Sequence, residues 1–245
     1  MPFATPLFDA LSLAELEALK LSFKVALLSA SITLPIALGL AYVLARRQFW
    51  FKGMLDALIH LPMVLPPVVV GYLLLITFSH QSPVGQWLLS TFGLSFAFNW
   101  WGAALASGLV ALPLMVRALR SGYEGLDPQL GEAASTLGFS PLKVFLKVTL
   151  PLLIPSVISA WFLGFARALG EFGATITFVS NIPSQTQTLP LAMFQFIETP
   201  GAEWAALRLC ILAVLLAFTT LLLSQWLHQR ALQKIGKKPL SGNAL

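Results

Sequence analysis

Three charged residues stand in apolar surroundings and are the first candidates for chemistry. Arg167 and Glu171 are four apart, so a helix places them on one face. Arg208 lies at a comparable depth in a later apolar run. An arginine at the centre of a bilayer costs at least about 2.5–3.5 kcal/mol on insertion scales, so each needs a reason to be there. Two readings stand for all three: a structural pair or a side chain reaching to the headgroups, or the lining of a polar path. Bond-making chemistry has no comparable candidates. The sequence has no His-Glu-x-x-His, no Gly-x-Ser-x-Gly and no phosphate loop, and its His and carboxylates form no cluster at metal-ligand spacing. Cys210 is the single cysteine, which excludes an internal disulfide and suggests no Cys-based metal site. His60, beside the prolines of a later segment, reads as an amphipathic side chain near an interface. The expectation is therefore no catalytic residue, no metal and no cofactor bound by this chain.

The elements that must position these residues are membrane helices. The chain is 57% hydrophobic and 10% charged over 245 residues, against about 25% charged in a soluble domain. Its net charge of +5 is spread along the chain rather than clustered, which argues against nucleic acid. Asp9, Glu15 and Glu17 precede any lysine, unlike the basic start of a cleaved signal peptide. Ser12 to Glu15 is a capping box that opens either a short interfacial helix or an extension of span one. Spans of about 20 residues are read at Val25–Leu44, Ala57–Thr77, Phe98–Val116, Val148–Phe165 and Ala205–Leu223. Pro62, Pro66 and Pro67 should kink or break the second. Ala174–Val179 and Leu191–Ile197 are too short to span and read as an external re-entrant or surface hairpin. The fold class is thus all-α and polytopic, a single membrane domain over residues 1–245 with about five spans.

Cation-rich and cation-free loops alternate after span one. Arg46–Lys52, Arg117–Lys147 and a basic tail, about residues 228–245, fall on one side, which the positive-inside rule makes the cytoplasm. The N-terminus is then outside, with Lys20 and Lys24 as the counts against. The largest internal polar loop, about residues 118–147, carries its own punctuation. Asp127 caps a helix beginning at Pro128, Gly138 ends it in the left-handed region, and Ser140-Pro141 starts another. The result is a polar helix about 15 Å long on a tight turn before a membrane span.

Glu132-Ala133-Ala134, Gly138 and the run Val148 to Pro151, in that order and spacing, resemble the cytoplasmic loop of ATP-binding-cassette importer permeases. Three further stretches, His60–Tyr72, Pro113–Arg117 and Ala166–Pro183, are similar to the permeases of bacterial molybdate importers, and sulfate permeases share much of them. Val148 stands where the superfamily pattern often has Ile. The compact length favours molybdate over sulfate. The resemblance implies that Glu132, Ala133, Ala134, Gly138 and Pro151 belong to a coupling loop docked on an ATPase. It also implies a homodimeric pore in the bacterial inner membrane, two cytoplasmic ATPase subunits that use the ATP, and a periplasmic oxyanion-binding protein. The competing class is a self-sufficient secondary transporter; an odd number of spans and no internal repeat speak against it.

Overall fold

Two long apolar runs set the dimensions of the molecule. In the computed structural model, which describes residues 11–234 and 236, the first forms α1 (Leu13–Arg46) and the last forms α11 (Glu203–Lys234). Between them lie α2 (Lys52–Val64), α3 (Pro67–Phe78), α4 (Pro83–Phe92), α5 (Trp100–Glu124), α6 (Pro128–Thr136) and α7 (Pro141–Val144). A five-residue π-helical turn (Phe145–Thr149), α8 (Leu150–Leu169), α9 (Gly173–Val179) and α10 (Leu189–Glu198) complete the order. No strand occurs among the described residues. Lys237 and Lys238 of the basic tail lie outside them.

Among the described residues, four helical stretches are long and apolar enough to cross a membrane: α1, α5, Pro141–Leu169 and α11. The fifth candidate is α2 with α3, bent by 109°. Pro66 and Pro67 supply no backbone N–H, and the helix stops at Leu65 with extended backbone. Pro62 is accommodated inside α2. The capping box forms as expected: Ser12 Oγ accepts the Glu15 N–H, and the Ser12 N–H donates to Glu15 Oε2 at 2.7 Å. It opens an unbroken α1, so the extension reading holds over the separate interfacial helix.

Helix α5 is the centre, packed mainly against α1 and α8, with α9, α2 and α3 beside it. Small residues permit this. The face of α1 that is buried carries Ser22, Ala26, Ser29, Thr33, Ala37 and Ala41, and α5 answers with Gly102, Ala103, Ala104, Ala106, Ser107 and Gly108. Without a hydrophobic drive between helices in lipid, close backbone approach is what holds them together. At Gly108 an added Cβ would lie 2.6 Å from Thr33 Oγ1. Lys24, one of the two lysines that count against the topology, rests its ammonium 3.5 Å from the centre of the Trp100 ring.

The segment read as an external re-entrant or surface hairpin is two short helices, and the burial of α9 goes against the surface alternative. Ala174, Phe178 and Val179 are buried with Val70 and Leu74 of α3. Gly71 makes the contact possible: a Cβ there would meet the Ala174 carbonyl at 2.5 Å.

Candidate coupling surface and charged sites

The polar loop folds as its punctuation dictates. Asp127 Oδ1 accepts the Gln129 N–H at 2.9 Å, and Pro128 opens α6 where a missing donor costs nothing. Leu137 closes the helix and Gly138 turns the chain at φ +83°. Ser140 precedes Pro141 without a side-chain cap, so proline alone starts α7. Glu132, Ala133 and Gly138 are exposed, while Ala134 is buried. Leu137 is 78% exposed, and Leu130, Leu142 and Leu146 are also uncovered, an apolar set at the tip of a polar loop.

The loop enters its span through a wide turn. The Leu150 N–H bonds to the Phe145 carbonyl, five residues back. Pro151 follows at once and denies the Lys147 carbonyl its usual donor. On the other side, Arg46 Nη2 donates to the Tyr123 and Leu126 carbonyls at 3.0 Å each. These carbonyls lie at and just past the C-terminal end of α5, where a cation is favoured. Arg46 thereby ties the end of α1 to the residues that lead into Asp127. A cavity of about 820 Å³ opens among these parts, lined by Tyr42, Arg46, Tyr123, Glu132, Ser135 and Phe145 among others.

Arg167 and Glu171 form the expected i,i+4 pair, at 2.7 Å, with the Glu171 side chain 1% exposed. Glu171 does more than hold Arg167: its Oε1 accepts the Ala174 N–H at 2.9 Å and so caps α9. Arg208 is held by a different acid. Its Nε and Nη2 donate to the Glu15 carboxylate at 3.1 and 3.2 Å, and Glu15 is 0% exposed. Arg208 therefore points inward rather than to the headgroups. Glu15 is the residue that sequence reasoning missed as a partner, because the capping box already accounted for it and Arg208 lies 193 positions away. Two further contacts fasten the same turns of α1: Ser22 Oγ accepts the Leu189 N–H, and Ser184 Oγ donates to Glu17 at 2.6 Å. Thus Arg167 and Arg208 do not share one acid.

Asp56, Arg120, Glu124 and His60 form a further polar cluster between α2 and α5. Arg120 reaches Asp56 at 3.2 Å and Glu124 at 2.8 Å, and His60 lies 3.3 Å from Asp56. Among the described residues no group of three His, Cys, Asp or Glu is arranged to hold a metal.

Residues 33–233 match the family described as binding-protein-dependent transport system inner membrane component. A molybdenum transport system permease protein of Haemophilus influenzae is 52% identical over 223 residues, 91% of this chain and 97% of that protein. Its counterpart in Escherichia coli K12 is 49% identical over the same shares. Among solved structures, a bacterial transporter involved in the import of the acidic polysaccharide alginate superposes with a TM-score of 0.71. That match covers 94% of this chain and 84% of the other at 17% identity, a likeness of fold alone.

Proposed function

The chain belongs to the family of binding-protein-dependent transport system inner membrane components, and from that premise we propose that it is the permease through which an ATP-driven importer takes up molybdate. The observation that carries the coupling part of this reading is the exposed tip of the polar loop. A capped helix, a left-handed glycine and the uncovered Leu137 and Leu142 form a surface that a soluble ATPase can cover. The wide turn and Arg46 connect that surface to α8 and α1. Molybdate as the cargo rests on relatives named for molybdenum transport at 52% and 49% identity.

The rest of the assembly follows from this reading. Two copies form the pore, two ATPase subunits dock at the loops 118–147 and hydrolyse the ATP, and a periplasmic protein delivers the oxyanion. The N-terminus is outside and the tail cytoplasmic, as the cation-rich loops dictate. Glu132, Ala133, Ala134, Gly138 and Pro151 serve coupling. Arg167 and Arg208 flank the outer path, each sharing its charge with a carboxylate.

The test is ATP-dependent uptake by a reconstituted complex of permease, ATPase and binding protein. Labelled molybdate should accumulate only with ATP, and tungstate should compete better than sulfate. Sulfate competing as well as tungstate would reassign the cargo, and uptake without ATP would favour a secondary transporter.

A further inference from the structure

The cavity of about 820 Å³ beside the polar loop is a slot between two membrane stretches. One wall is a stripe of α1: Pro35, Gly39, Tyr42 and Arg46, spaced to share a helix face. The other is a matching stripe of the stretch that begins at α7: Pro141, Phe145, Val148 and Leu152. Tyr123, at the end of α5, also lines it. The slot is blind at its deep end. Past Pro35, toward the start of α1, the walls meet: Trp161 Nε1 donates to Ser31 Oγ at 3.3 Å, and Ala26 and Ala30 pack with Phe165 and Ala168. From Pro35 to Arg46, α1 rises about 16 Å, half of a hydrocarbon core about 30 Å thick. The slot is therefore one leaflet deep, with Arg46 at the level of the headgroups.

Its lining changes along that depth. Pro35, Leu38 and Leu152 make the deep part apolar, whereas one cation, Arg46, and two carboxylates, Asp127 and Glu132, line the part formed with the polar loop. Arg46 Nη2 is fixed by the Tyr123 and Leu126 carbonyls, neutral groups that set its position without cancelling its charge. Gly39 keeps the middle of the slot open: an added Cβ there would meet no atom within 4 Å. A spanning helix of a second copy needs about 20 residues and cannot lie in a blind slot half a membrane deep.

We infer that this slot is a binding site for one inner-leaflet phospholipid with a zwitterionic amine headgroup. The phosphate meets the Arg46 guanidinium, whose fork of donors suits it. The ammonium faces Asp127 and Glu132, and one acyl chain lies along Pro35, Leu38 and Gly39. An anionic lipid would satisfy Arg46 alone and bring no cation to the two carboxylates. The bound lipid lies between α1 and α6 and braces the polar loop from the membrane side. Leu137 and Leu142 are exposed outside the slot, so the lipid does not compete with a soluble partner for the tip of the loop. The leaflet is named from the cation-rich loops being cytoplasmic; the binding itself does not rest on the cargo.

Native mass spectrometry tests this on the assembly as purified from the membrane, supplied with equal amounts of phosphatidylethanolamine and phosphatidylglycerol of identical chains. One phosphatidylethanolamine per permease copy should be retained, favoured over phosphatidylglycerol about fivefold, the effect of one exposed ion pair at its upper limit. Gly39→Phe should fill the slot and abolish retention with the copy number of the assembly unchanged, whereas Gly39→Ala should retain lipid as the wild type does. The double variant Asp127→Asn, Glu132→Gln keeps a helix cap at residue 127 and should bind lipid without preference between the headgroups. Equal retention of the two lipids by the wild type overturns the inference, as does a preference that survives in the double variant. Retention by Gly39→Phe at the wild-type level overturns it too, and so does loss of lipid in Gly39→Ala. A changed copy number with Gly39→Phe overturns it by making the slot an interface between protein chains.

Discussion

The Glu15–Arg208 pair gives the sharpest test of how charge is used in this bundle. Glu15 is 0% exposed and the Arg208 side chain 15% exposed. Arg208→Met strands a carboxylate whose remaining support is the capping box with Ser12. Breaking a buried pair from one side costs about 3–5 kcal/mol, because the other charge is left without compensation. For a chain of this size each kcal/mol moves the unfolding midpoint by roughly 2–4 °C, so a loss of about 6–20 °C is expected. Glu15→Gln can still accept the Ser12 N–H, so it isolates the loss of charge from the loss of the cap. It should cost less, since the stranded guanidinium keeps some access to water. The double variant Glu15→Gln, Arg208→Met should recover about 2–3 kcal/mol relative to the sum of the singles, the upper range for groups in contact. The assay is thermal unfolding of the purified complex in mild detergent, with uptake measured in parallel. If Arg208 acts on the anion, the double variant regains stability but not uptake; if it acts as scaffold, both return together. Single variants within about 2 °C of wild type would refute the reasoning, since that is less than the effect of 1 kcal/mol.

Two further outcomes follow. Gly138→Val places a branched residue at φ +83°, where an added Cβ meets no atom within 4 Å, so it tests backbone conformation alone; the left-handed penalty of about 1–2 kcal/mol should misdirect the coupling helix, lowering ATP-driven uptake while membrane insertion stays normal. Single cysteines at Gln86 and Ser184, both exposed, in a Cys210→Ser background should react with an impermeant thiol reagent from outside, and labelling of Ser184→Cys only from the cytoplasm would require a different span count.

What could be read from the sequence is what is encoded locally. The polar helix α6 was legible because Asp127, Pro128 and Gly138 each act on their own few residues. The five apolar stretches and the break near Pro66 were legible for the same reason, but a proline announces a break without stating its angle. The π-helical turn before Pro151 had no distinct signal, since it is a compromise between a missing donor and the packing of α8 against α5. Helix α9 was legible only as part of a re-entrant or surface hairpin, because its length forbids a span. Its burial depends on Gly71, a hundred residues earlier, and an absent side chain gives no sign of what will approach it.

Charges show the limit most clearly. In the sequence Arg117, Arg167 and Arg208 are equal cations, and proximity in the chain pairs only Arg167, through Glu171. Folding distinguishes them. Helix α1 brings Glu15 to Arg208, and Glu171 is shared between Arg167 and the start of α9. Both arginines are thereby held in ion pairs, Arg208 between α1 and α11 and Arg167 at the junction of α8 and α9. The field along the path is set by what folding leaves over. A dianion in a low-dielectric passage responds to net charge, and opposite charges about 3 Å apart partly offset one another. Depth and residue type therefore single out which arginines stand in apolar surroundings, but the pairing that sets how much of each charge an anion meets is decided by residues far away in the chain.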